Sequence, residues 1–276
     1  FQLASTKHSV VLAPFINGAT SVPLTISGNP DFSLQNSFVP IPQFDALRDA
    51  AIREMLAQSR SNIYDVVARL YSQEGMSAAS VAAPILQNPS SVVKPHFAGL
   101  NSFFAGQLQN VALLIEGRAQ TGLKRQVFYV GQPGYDTHGT QLGAHHSLLD
   151  ELSRAMQAFQ NAMTAIGTVD NVTAFTLSDF GRALKPASNS GTDHGWGGYS
   201  FVMGGAVRGG DFYGTVPTPA LGGPDDFGNE GRWIPTTSIE QYGATLCRWF
   251  GLAGGDLPYV FPNIGAYSNT NLGFMS

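Results

Sequence analysis

Cysteine is nearly absent from this sequence. The one thiol among 276 residues is Cys247, which excludes a disulfide framework within the chain and any Cys-x-x-Cys metal site. It lies in a helical pattern, TLCRWF, where a buried, inert thiol is expected. Charge is scarce too: Asp, Glu, Lys and Arg make up 12% of the residues, about half the usual share. The net charge is −4 and the chain has no Lys/Arg cluster, so the electrostatic footprint of a nucleic-acid binder is missing. No apolar run approaches the roughly 20 residues of a membrane-spanning helix. A G-x-S-x-G nucleophile elbow, a Walker loop and a glycine-rich dinucleotide fingerprint are all lacking.

Glycine, by contrast, is abundant at 32 residues, and with Ser, Asn and Thr it points to long ordered loops. Low charge with a single cysteine suits an exported bacterial protein. No signal peptide is visible, and the abrupt start at Phe1 carries the expectation of an upstream segment. The length suffices for a substantial core. A single domain over 1–276 is the simplest division, with an irregular and helical portion at 1–95 and a motif-bearing core at 96–276.

Residues 1–42 alternate short β-like runs, SVVLAPFI and VPLTI, with Pro, Gly and Asn breakers. FDALRDAAIREMLAQ spaces Leu47, Ile52, Met55 and Leu56 as a helix does. That stripe is expected to pack on the core, and the helix to continue through IYDVVARLY to about Gln73. A second helix is predicted at about 100–118, with Phe104, Leu108, Val111, Leu114 and Ile115 buried and Gly122 ending it. A last one, at about 238–250, turns Ile239, Tyr242, Leu246 and Phe250 inward before an aromatic, extended tail. His8 and His96 are isolated and read as structural or surface histidines. Asn171-Val-Thr matches a glycosylation acceptor, a triplet common by chance.

The chemistry concentrates between Val127 and Gly205. An apolar strand, VFYV, breaks into GQPGYDTHGTQ; a long amphipathic helix follows, from Leu142 to about Ile166. Its apolar face carries Leu148, Leu149, Leu152, Met156, Phe159, Met163 and Ile166. A second strand, VTAFTLSDFGR, leads to a Gly/Ser/Asn loop with GTDHGWGG and a third run, YSFVMGGAV. Strand, helix, strand predicts a right-handed βαβ unit with parallel strands, whose carboxyl ends are where ligands bind. Asp136, His138, Asp179, Asp193 and His194 can then meet, and carboxylate and imidazole are what divalent metals prefer. Gly134 and Gly139 allow the irregular backbone that Asp136 and His138 need to face one ion. Arg182 is expected either to neutralise Asp179 or to bind an anionic group. His145 or His146, at the helix start, could be a further ligand; Trp196, Arg208 and Arg232 are weaker pocket candidates.

GYDTHGTQ, the LSRAMQAF helix, TLSDFGRALKP, GTDHGWGG and FVMGGAVRGGDFYG closely resemble the exported bacterial domain-of-unknown-function family 1501, of the alkaline-phosphatase and sulfatase superfamily. The closing GRWIPTTSIEQYGATLCRWFG and LPYVFPNIG resemble it as well. The resemblance covers about residue 100 to the end with specific motifs, and the first hundred residues loosely. It implies an alkaline-phosphatase-type α/β fold, a mostly parallel sheet flanked by helices that lacks its N-terminal part. It also implies twin-arginine export to a periplasmic or extracellular location. Superfamily members hold two divalent ions with Asp and His at strand ends, and use a Ser or Thr nucleophile.

In the register of the cofactor-independent phosphoglycerate mutases, Asp136, His138, Asp179 and His194 are the implied ligands; Asp193, His145 and Arg182 are possible additions. Phe180 stands where that register expects a further His. The nucleophile and the first-strand Asp are expected upstream of Phe1. These implications lead to an exported, metal-dependent hydrolase of phosphate or sulfate esters, using zinc, manganese or calcium. The alternative is a non-catalytic binding or structural protein on the same fold. Expected partners are a small anionic ester or surface polymer, other exported proteins or a cleaved N-terminal segment, with no nucleic acid and no membrane span.

Overall fold

Short strands that pair only with antiparallel neighbours make up the sheets of the computed structural model, which describes residues 9–13, 24–27, 42–58 and 77–276. The chain divides into two compact units, Phe1–Gln132 and Pro133–Ser276.

In the first unit, β1 (Ser9–Ala13) lies between β2 (Leu24–Ser27) and β3 (Val127–Tyr129). Both pairings are antiparallel, Val10 facing Ile26 and Leu12 facing Phe128. Helix α1 (Pro42–Ala57) forms where the spacing predicts it, but Leu47 and Met55 are exposed, so that stripe is not the core face expected. Its continuation towards Gln73 lies outside the described residues. A further helix, α2, covers 77–87. Helix α3 (Phe103–Glu116) begins at Ser102, whose Oγ accepts the Ala105 N–H at 3.1 Å, satisfying a donor the first turn leaves unpaired. Phe104, Leu108, Val111, Leu114 and Ile115 are all buried, as the periodicity predicts. A short turn, α4 (Arg118–Thr121), follows, and Gly122 closes it in the left-handed conformation (φ 66°). Buried Gln107 fixes the exit of β3, donating to the Gly131 carbonyl at 2.9 Å and accepting its N–H at 3.1 Å.

The second unit holds α5 (Gln141–Ala165), which buries Ala155, Ala158, Phe159, Ala162 and Met163. Its first half is more open: Leu149 is exposed, contrary to the predicted stripe. Strand β4 (Ala174–Phe175) pairs with β7 (Val202–Met203), β5 (Gly181–Pro186) with β6 (Thr192–Gly195), and β8 (Asp226–Phe227) with β9 (Arg232–Trp233). Every pair is antiparallel. The expected parallel pairing of the two Asp-bearing strands is therefore corrected: β3 joins β1, and β4 joins β7. A strand inside a parallel sheet is buried on both faces, whereas Phe175 and Leu177 are exposed here. Within GTDHGWGG, the TDHG stretch is likewise corrected, from loop to β6. Helix α6 (Ile239–Phe250) opens with a reciprocal capping box between Ser238 and Gln241. It buries Leu246 as expected but leaves Ile239 exposed. The tail is not extended; it folds as short helical turns, and Leu257 and Ile264 pack with Ala244. Cys247 joins that cluster half-buried, and burial pushes its thiol pKa up, which suppresses the reactive thiolate.

Asp226 organises the turn between β8 and β9. Its carboxylate accepts the N–H groups of Gly222, Gly231 and Arg232 at 2.9, 2.8 and 3.0 Å. Desolvation raises its pKa, but these bonds outweigh it and leave the group below the ordinary carboxylate range. A depressed folded pKa means that the stabilisation is complete above the unfolded carboxylate's pKa and is lost as pH falls through the folded value. Asp226→Asn should therefore melt below wild type at neutral pH, the gap closing as the buffer is acidified; melting curves from pH 7 to pH 3 check this.

Candidate metal centre

Strands β5 and β6 form a hairpin in which Gly181 faces Gly195 and Arg182 faces His194. Ser190, at its tip, takes a positive φ of 63°. The loop before α5 lies along this tip. Thr140 N–H donates to the Asn189 carbonyl at 3.2 Å, Gln141 N–H to that of Ser190 at 3.0 Å, and Thr192 N–H to that of Thr137 at 3.3 Å. The approach is close enough to require glycine at 191, where a Cβ would sit 2.1 Å from the His138 carbonyl carbon. This docking brings Asp136 and His138 to His194.

Arg182 locks the arrangement. Its side chain is 13% exposed, and it donates from Nη1 to Asp136 Oδ1 at 3.1 Å and from Nε to Thr192 Oγ1 at 3.1 Å. Nη2 donates to the carbonyls of both Thr137 and Thr192. Thr192 Oγ1 in turn donates to Gln141 Oε1 at 2.7 Å. Arg182 therefore neutralises Asp136, not Asp179, and with these donors committed it is an anchor, not an anion receptor.

Three ligand atoms converge in front of it. Asp136 Oδ1 is 2.8 Å from His194 Nε2 and 2.9 Å from His138 Nε2, and the two imidazole nitrogens are 3.2 Å apart. A tetrahedral ion bound at about 2.0–2.1 Å would need its ligand atoms about 3.3 Å apart, so this triangle would have to open by a few tenths of an ångström to hold one. All three side chains are about half exposed, which leaves one side of the group open. The His194 hydrogen bond, reinforced by the charges of His138 and His194 and by Arg182, holds the Asp136 carboxyl below its ordinary range. His138 points Nδ1 towards Asp193 Oδ1 at 3.8 Å, the place of a supporting carboxylate behind a metal-bound imidazole. Phe180 stacks on His194 with centroids 4.1 Å apart and planes at 12°.

Of the residues the sequence singles out, Asp136, His138 and His194 form the one such group among the described residues. Asp179 stands outside it and lines an adjoining pocket with Phe180, His194, Gly195, Trp196, Phe227 and Arg232. Asp193 lies behind His138. His145 is a buttress: its Nε2 contacts Thr137 Oγ1 at 2.9 Å and the Tyr135 carbonyl at 3.3 Å, under the loop that carries the ligands. Arg232 stitches β9 to β6, donating from Nε to the His194 carbonyl at 3.2 Å, and pairs with Glu230 and Asp193. Sequence reasoning missed Thr192 and Gln141, whose contributions depend on the loop docking on the hairpin. It also missed Phe227, which sits in a two-residue strand with no periodicity to mark it.

The family described as protein of unknown function (DUF1501) matches residues 55–226. The chain belongs to this family. The matched stretch contains Asp136, His138 and His194, the Arg182 anchor and Asp179 of the DUF1501 chain. Neither a curated protein nor a solved structure matches the chain.

Proposed function

We propose that Asp136, His138 and His194 hold one divalent cation, and that the protein is a metal-dependent hydrolase of phosphate or sulfate esters acting outside the cytoplasm. The convergence of two imidazole nitrogens and one carboxylate oxygen within 3.2 Å of one another supports this reading. The charge around the group fits as well. Asp136, Asp179, Asp193 and Glu230 face two guanidiniums, Arg182 and Arg232, leaving two negative charges for a divalent ion to balance. Two nitrogen donors and one oxygen suit zinc, manganese or iron better than calcium, which takes oxygen ligands.

Such an ion supplies a Lewis acid for the ester and offsets the charge that develops on the transferred group. The protein's own part is orientation. Arg182 holds Asp136, Asp193 faces the back of His138, and the Phe180 ring fixes the plane of His194. Each restricts a ligand's freedom before anything binds, so less ordering is left to do at the moment of reaction. Membership of the alkaline-phosphatase lineage and export from the cytoplasm belong to the same proposal, supported by the sequence motifs and the low charge.

A second reading, binding without turnover, is favoured by one observation. Two hydroxyls beside residues of the group are committed: Thr137 Oγ1 to His145 and Thr192 Oγ1 to Gln141 and Arg182. Assays of 4-nitrophenyl phosphate and 4-nitrophenyl sulfate with added zinc, manganese or iron separate the two. The hydrolase reading expects metal-dependent turnover of at least one ester, reduced at least about a thousandfold by Asp136→Asn, since such ions lower the barrier by several kcal/mol. Metal-bound protein with no turnover of either ester establishes the second reading instead.

A further inference from the structure

We propose that the pocket beside the metal group is a carbohydrate subsite; only the further step, that the ester acted on is carried by a sugar, rests on the hydrolase reading. Trp196 and Phe227 pack against one another at the pocket, ring centroids 4.7 Å apart and tilted by 34°, so each buries one face on the other and leaves its outer face open. They are 58% and 53% exposed, an apolar wall left open beside the metal group. Large aromatic rings exposed together on a concave surface mark a binding site. The pocket is a wide-mouthed depression of about 550 Å³, within the usual range for small-molecule sites of about 300–1,000 Å³.

Two polar groups decide what the wall receives. The Asp179 carboxylate lines the same pocket, and among the described residues it makes no hydrogen bond or ion pair. The Trp196 indole N–H is likewise without an acceptor among them. An aryl group laid on the rings would leave both facing an apolar edge and stripped of water, at the cost of desolvating an unpaired charge. A pyranose ring meets both demands. Its C–H face covers the open face of Trp196, which Phe227 backs, while hydroxyls around its rim donate to Asp179 and accept from the indole N–H and Arg232. His194 is both a wall of this pocket and a member of the metal group, so a sugar stacked there presents a substituent to the ion.

Saturation-transfer NMR on the full chain tests the subsite directly. The probes are the methyl glycosides of glucose, galactose and mannose, with phenyl phosphate as the aryl comparison, each with added zinc and after chelation. At least one glycoside should receive saturation on its ring C–H protons under both conditions. Its Kd should rise about tenfold in Trp196→Ala, the loss of one aromatic contact, and rise also in Asp179→Asn. Both positions are exposed, so neither substitution removes core packing, and unchanged melting verifies that. If no glycoside binds, or one binds undiminished by Trp196→Ala, or phenyl phosphate enters while the sugars do not, the subsite is overturned. Glycoside binding without metal-dependent turnover of the phosphate or sulfate ester of the same sugar upholds the subsite and removes the hydrolase reading; turnover of phenyl phosphate without glycoside binding does the reverse.

Discussion

Replacing His194 with alanine should weaken zinc binding by more than about a hundredfold, because residues that merely support a ligand already contribute about 10–100-fold. The effect is visible without an activity assay. An ion that binds the folded chain and not the unfolded one stabilises it by mass action, by about 4 kcal/mol at a thousand times Kd and by about 1.4 kcal/mol or less once Kd has risen a hundredfold. Melting curves in a zinc titration should therefore show a large upward shift for wild type and a small one for His194→Ala. Asp136→Asn and His138→Ala should behave as His194→Ala does. Asp179→Asn should keep the wild-type shift, because its carboxylate stands outside the converging triangle. The sequence alone expects the opposite for Asp179, so this one variant separates the two placements.

The second large effect belongs to Arg182. Substitution by methionine keeps much of the volume and removes the guanidinium. The Thr137 and Thr192 carbonyls, Thr192 Oγ1 and Asp136 lose their shared donor. The Thr137 carbonyl keeps the Thr192 N–H and Thr192 Oγ1 keeps Gln141, and solvent reaches the half-exposed Asp136, so the unpaired cost falls mainly on the Thr192 carbonyl. A loss of about 1–3 kcal/mol is expected in denaturant unfolding, the cost of a buried acceptor that loses its donor. Zinc affinity should fall with it, since Asp136 is released and the loop is no longer tied to the hairpin. Lysine should not rescue either readout, because one ammonium cannot reach acceptors in three directions as a planar fork does.

What the sequence made legible, and what it did not, follows from periodicity. Helices α3, α5 and α6 repeat their apolar residues often enough for the 3.6-residue period to show, and α3 buries the five residues it marks. The sheets offer no such signal. Strands β4, β7, β8 and β9 are two residues long, too short for alternation to register, and β6 is built from TDHG, which reads as a turn. A parallel sheet was the natural inference from strand, helix, strand, and it placed Asp136, His138 and His194 in one neighbourhood. They do meet, through a different construction: a loop docked on an antiparallel hairpin, made possible by Gly191 and held by Arg182. Asp179 joins them in the sequence reading only through the parallel arrangement, and it stands outside the converging group.

The central claim is that three named atoms hold one ion, and anomalous diffraction from crystals grown with zinc tests it most directly. Data on the two sides of the zinc edge should give one strong peak per chain, about 2.0–2.1 Å from Asp136 Oδ1, His138 Nε2 and His194 Nε2. A map with no peak there, or with zinc held elsewhere while these side chains keep only their mutual hydrogen bonds, would contradict the account.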